Sequence, residues 1–235
     1  MNLVRVSGSI VVAALAVTLT GCLGTGPAPS PTSSESTTAS ATPEPSATPT
    51  PEPTKPATSE LILSPEGLGP LVIGSAPPAS NPALDIAIFD PDHCAAWVAD
   101  GYAPGKWVPN YEPAASADVV GPFALLVDGG ILQGLEVFSS EINTATGIHI
   151  GSSRDELVAA YPGGFETVLA GFASDVYVLR GTHGKLLLEV LSDREPGYWA
   201  SDELNKVKFA HVIALGAEPY AVSGTDAGYM GCVHS

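Results

Sequence analysis

The chain has 235 residues and a formal charge of −16, set by 25 acidic against 9 Lys and Arg side chains. Without a basic run it lacks the positive patch that nucleic acid or anionic lipid would require. Beyond the first twenty residues no apolar stretch reaches the ~18 residues of a membrane-spanning helix, so no later span is expected.

The N-terminus places Arg5 before a nearly continuous apolar run from Ile10 to Leu19. This is the arrangement of a secretory leader, and the run is short for spanning a bilayer. It closes on Leu19-Thr20-Gly21-Cys22, which resembles the lipobox of bacterial lipoproteins. The resemblance implies a signal peptide over 1–21 and a thioether-linked diacylglycerol on Cys22, the first mature residue. The protein would then sit on the extracytoplasmic face of the cell membrane without crossing it. Two acyl chains anchor stably where one holds only marginally, at roughly 0.8 kcal/mol per buried methylene. A plain signal peptide with a coincidental cysteine, or a spanning helix, are the alternatives. With Cys22 lipidated, Cys94 and Cys232 are left as an even pair. Outside the cytoplasm such a pair is most simply a disulfide, with two free buried thiols as the alternative.

Residues 22–59 follow as a linker built almost wholly from Pro, Ser, Thr, Ala and Glu. Such a composition buries too little apolar surface to offset ordering entropy, so a disordered tether is expected. Its prolines favour extended conformations of roughly 3.1 Å per residue. A plain spacer and an O-glycosylated stalk both fit the composition.

The remaining sequence divides into 60–141 and 142–235, which share a faint repeat. Ile73-Gly74-Ser75 is echoed by Ile150-Gly151-Ser152. In the second copy Ser153 and Glu156 form a capping box for a short helix, stopped by Pro162-Gly163. Strands are predicted over 175–180, 185–191 and 206–213, with Val207, Phe209, His211 and Ile213 on one face of the last. In the first copy Asp128-Gly129-Gly130 predicts a hairpin between strands over 122–127 and 131–138. Pro77, Pro78 and Pro82 fall where the second copy has its helix and would break it. The expected fold is α+β: antiparallel sheets with short helices, in two degenerate repeats, after the disordered linker.

The sequence Gly147-Ile148-His149-Ile150-Gly151-Ser152, a short helix, Tyr161-Pro162-Gly163 and antiparallel strands resemble a module found twice in β-lactamase-inhibitory-protein-type folds. It is also similar to the small outer-membrane assembly lipoproteins of the SmpA/OmlA kind. Tandem versions on Pro/Thr linkers resemble lipoproteins of high-GC Gram-positive bacteria. The resemblance implies protein binding through a sheet, and it brings no catalytic residues to carry over.

No nucleophile elbow, phosphate-binding Gly loop or His-Glu-x-x-His occurs in the chain. Asp90-Pro91-Asp92-His93 groups two carboxylates and an imidazole, but neighbouring side chains on an extended segment point apart, so a loop is expected rather than a metal site. His149, His183, His211 and His234 read as structural. The aromatics are more suggestive: Trp97, Tyr102, Trp107 and Tyr111 follow Cys94 in Gly/Pro-rich sequence, and Tyr198-Trp199 lies in a later loop. Rings on loops serve either as contact anchors or as pins against a small core. Together these features predict a lipid-anchored, non-enzymatic protein with no catalytic residue, no metal and no cofactor, binding an envelope protein partner. A glycan-, cation- or small-molecule-binding module is the alternative, and an envelope hydrolase a third.

Overall fold

The computed structural model describes residues 53–112 and 121–222, together with Cys232. The expected leader, the expected lipidation site at Cys22 and the linker up to residue 52 lie outside the described residues. In chain order the strands begin with β1 (Ile62–Ser64), β2 (Gly67–Leu68), β3 (Leu71–Val72), β4 (Ala87–Asp90), β5 (Lys106–Pro109) and β6 (Phe123–Asp128). They continue with β7 (Ile131–Val137), β8 (Asn143–Thr144), helix α1 (Arg154–Ala160), β9 (Thr167–Ala170), β10 (Ser174–Arg180), β11 (Gly184–Leu191) and β12 (Val207–Ala214). The architecture is mainly antiparallel sheet with little helix.

Three sheets form. A small one has the order β3-β2-β1-β8, with β8 parallel to β1; β4 and β5 pair as a hairpin; and a six-stranded antiparallel sheet has the order β6-β7-β12-β11-β10-β9. The last sheet takes strands from both 60–141 and 142–235, joined where β7 pairs with β12, so the two halves are not separate sheets. Its inner face carries Phe123, Leu125, Leu135, Val137, Leu186, Leu188, Val190 and Val212. These pack against Leu63, Leu68 and Leu71 of the small sheet and Leu157 of α1, all buried, to make the main core.

Helix α1 forms as its local sequence predicts. The Ser153 hydroxyl accepts from the Glu156 amide at 3.2 Å, and the Glu156 carboxylate accepts from the Ser153 amide at 2.8 Å. Each bond satisfies a donor that the first helical turn leaves unpaired. Arg154 then ties the helix to the sheet, donating to Asp175 at 2.8 Å and to the Tyr177 hydroxyl at 2.6 Å. Burial opposes ionisation of Asp175, but hydrogen bonds and charge from Arg194 and Arg154 outweigh it and hold its carboxyl below the usual range.

The two Ile-Gly-Ser segments make the same pair of bonds. Gly74 N–H donates to the Leu132 carbonyl and Leu132 N–H to the Ser75 carbonyl, at 2.8 and 2.9 Å. Gly151 N–H donates to the Val207 carbonyl and Val207 N–H to the Ser152 carbonyl, both at 2.8 Å. One residue beyond each bridge the ladder slips: Gln133 is skipped where β6 shifts at Leu126/Val127, and Lys208 where β11 shifts at Glu189/Val190.

The bulge at Lys208 corrects the expected face of β12. A skipped residue reverses the alternation. Val207 therefore joins Ala210 and Val212 in the main core, while Ile213 belongs to a second cluster on the opposite face of the sheet. The stretch read as linker also meets the domain before it ends. The Tyr111 hydroxyl donates to the Pro56 carbonyl at 2.9 Å, and the Lys55 ammonium donates to the Asn110 carbonyl and lies 4.7 Å over the Tyr111 ring.

Candidate binding surface

The outer face of the large sheet carries charge inside otherwise apolar strands. Ladder register places Glu136 opposite His211, His211 opposite Leu187, and Leu187 opposite Val178, in one row across four strands. The neighbouring rows add Ile213 and Lys185 on one side, and Phe209, Glu189 and Val176 on the other. Glu136, Lys185, Glu189 and His211 are nevertheless all buried.

The C-terminal segment lies over Lys185, Glu189 and His211. After β12 the chain turns back, with Leu215 N–H donating to the His183 carbonyl at 3.2 Å. Residues 215–222 then run along β11. The Lys185 ammonium donates to the Ala217 carbonyl at 3.0 Å, and Val222 N–H donates to Glu189 Oε2 at 2.6 Å. The other Glu189 oxygen accepts from the Ser174 hydroxyl at 2.5 Å. Between these ends Ala217, Tyr220 and Ala221 pack on Val176, Val178, Leu187 and Ile213. The Tyr220 ring centre lies 5.1 Å from that of His211, and burial pushes the imidazole pKa down to about 3. Gly171 allows the close approach: a Cβ there would stand 2.9 Å from that of Ala221. Ten residues past Val222, Cys232 is bonded to Cys94, with Cα atoms 5.9 Å apart.

An aromatic group lies on the loops at one end of this sheet. Phe172, in the β9–β10 turn, meets Tyr198 at 5.4 Å between ring centres, Tyr198 meets Trp199 at 4.9 Å, and Trp199 meets Phe209 of β12 at 6.4 Å. Trp199 Nε1 donates to the Ala173 carbonyl at 3.0 Å, fixing the β11–β12 loop over the turn. Phe172 and Tyr198 are 57% and 47% exposed, so their rings face solvent while Trp199 supports them.

The six aromatics singled out in the sequence therefore separate. Tyr198 and Trp199 belong to this exposed group. Trp107 packs edge-on to Phe89 at 5.9 Å and Tyr111 to Phe123 at 6.1 Å, both against the main core. Burial, with the charge of Glu60, raises the Tyr111 pKa to about 12. Tyr102 is half-buried, and Trp97, 56% exposed, projects from the 3₁₀ turn after Cys94. Phe172 and Phe209 complete the cluster but were not singled out, because each stands alone in sequence and is brought in by strand pairing. The buried charges left a clearer trace: Lys185 and Glu189 bracket three leucines, and Glu136 interrupts an apolar strand.

Elsewhere His93 and Asp90 lie 3.5 Å apart, and among the described residues no three His, Cys, Asp or Glu side chains converge as metal ligands. The Glu66 carboxylate accepts from the Thr182 and His183 amides at 2.6 and 2.9 Å, pinning the β10–β11 turn. A narrow cleft of about 30 Å³, room for about one water, lies between β5 and β6 and is walled by His93, Lys106, Trp107, Phe123 and Phe138, among others. Burial lowers the Lys106 pKa. No protein-family model, no curated protein and no solved structure matches this chain.

Proposed function

We propose that this is an extracytoplasmic lipoprotein, held to the membrane through Cys22 and its Pro/Ser/Thr-rich linker, whose folded domain binds an envelope protein and catalyses no reaction. The observation that carries the reading is the Phe172–Tyr198–Trp199 group. Two exposed rings backed by a third, hydrogen-bonded ring form a rigid apolar anchor of the kind that dominates protein contacts. The leader, lipobox and acidic surface support the location and argue against nucleic acid as partner.

The same reading takes the domain as two degenerate copies of one unit, in keeping with the resemblance to tandem inhibitory-protein folds. Its support is the matched pair of Gly-Ser bridges to Leu132 and Val207, each followed by a bulge at the next residue. On this correspondence β4 to β7 match β9 to β12. The proline-rich stretch 77–82 replaces α1.

The test is photo-crosslinking in cells, with a crosslinkable residue placed at Phe172 or Tyr198 and a control at Val158, which is 49% exposed on α1. One dominant crosslinked protein from both positions, absent from the control, is the expected result. Equal labelling at all three positions, or none, would overturn the reading.

A further inference from the structure

The C-terminal segment is gripped through its main chain as well as packed through its side chains. Lys185 and Glu189 stand four residues apart on β11, about 13 Å along the strand. One grips the carbonyl of Ala217 and the other the amide of Val222, so the segment lies extended between two charged clamps. Between the clamps the face offers an apolar floor, the His211 ring for an aromatic, and the missing Cβ of Gly171 for close approach. A permanent core would not need this chemistry. Burying a carboxylate and an ammonium is unfavourable before pairing, and apolar residues of similar size would fill the space without that cost. Side chains that clamp backbone groups suit any extended peptide that presents them in the same spacing.

We propose that this face is a binding site for an extended peptide, occupied here by the chain's own residues 215–222 as a strap latched through Cys94–Cys232. The competing ligand is an extended segment of a protein partner carrying an aromatic residue followed by a small one, in the positions of Tyr220 and Ala221. This rests on the protein-binding reading above. A dithiol reductant opens the latch: its thiolate attacks one sulfur, its second thiol displaces the mixed disulfide, and it leaves as its own disulfide. Cys94 and Cys232 take up two electrons and two protons as thiols. The strap is then free to exchange.

The probe is a fluorescent peptide of residues 215–222, Leu-Gly-Ala-Glu-Pro-Tyr-Ala-Val, titrated against the full chain and followed by anisotropy. Saturable binding is expected to the Cys94→Ser/Cys232→Ser variant and to dithiol-treated wild type, and at least tenfold weaker binding to the oxidised protein. Replacing tyrosine by alanine in the peptide should weaken it tenfold or more. A second variant, Val222→Pro, keeps the latch but removes the amide that Glu189 holds, and should also admit the probe. No binding to folded variants, or equal binding to oxidised wild type, would overturn the proposal. Loss of the folded state in both variants would overturn it too, since the segment would then be core. Probe binding without cellular crosslinks sinks only the partner reading; crosslinks at Phe172 and Tyr198 without probe binding sink only this one.

Discussion

His211 shows how a single buried group shapes the behaviour of the domain. Its ring is fully buried among Glu136 on β7, Lys185 and Glu189 on β11 and Tyr220 on the C-terminal segment, and burial lowers its pKa to about 3. In the unfolded chain the imidazole titrates near ~6.5. Below that pH the unfolded state binds a proton that the folded state refuses, so stability falls as pH drops from about 6.5 towards 3. The expected loss is about 2 kcal/mol by pH 5. Asp175, whose folded pKa is depressed, contributes stability that is lost only below its ordinary value of about 3.9, so the two windows separate. Urea midpoints at pH 7.5 and 5 should differ for wild type and hardly at all for His211→Leu. An equal drop in both would assign the acid sensitivity to other groups. The sequence marks His211 as a strand residue but not its burial, because the turn back after β12 that lays Tyr220 beside it has no apolar periodicity of its own to announce it.

Elements closed by neighbouring residues were legible before folding was considered. Ser153 and Glu156 specify the start of α1 because both capping bonds span three residues, and Asp128-Gly129-Gly130 specifies the β6–β7 hairpin by its turn chemistry. Strands β4 and β9 were not legible. Each is four residues long, and its pairing is set by a partner across a loop rather than by its own pattern. The Ile-Gly-Ser repeat was visible as letters, yet its meaning lies in the bridges. Gly74 and Gly151 have φ of +82° and +100°, with nothing within 4 Å of an added Cβ. Alanine at either position should therefore cost about 1 kcal/mol from backbone strain alone. Chemical denaturation of Gly74→Ala and Gly151→Ala would check this; an effect at only one site would contradict the matched roles of the two turns.

At the scale of the molecule, one sheet with two dressed faces organises everything else. The inner face joins the small sheet and α1 in the main core; residues 215–222 pack over β10, β11 and β12 on the outer face. The Cys94–Cys232 bond closes a loop of 138 residues, for which chain entropy gives about 5 kcal/mol. Reduction should lower the melting temperature by roughly 10–20 °C while leaving the far-UV spectrum at 25 °C unchanged, since the main core contains neither cysteine. A melting curve indifferent to reductant would mean that the bond adds nothing to stability.

The cysteine pairing, the capped helix and the main hairpins follow from local chemistry or counting, and they can be read along the chain. The joining of both halves into one sheet, the face reversal at Lys208, the division of the aromatics and the burial of Glu136, Lys185, Glu189 and His211 cannot. These depend on contacts between residues far apart in sequence, where a one-residue bulge or a returning segment changes which side of a strand meets solvent.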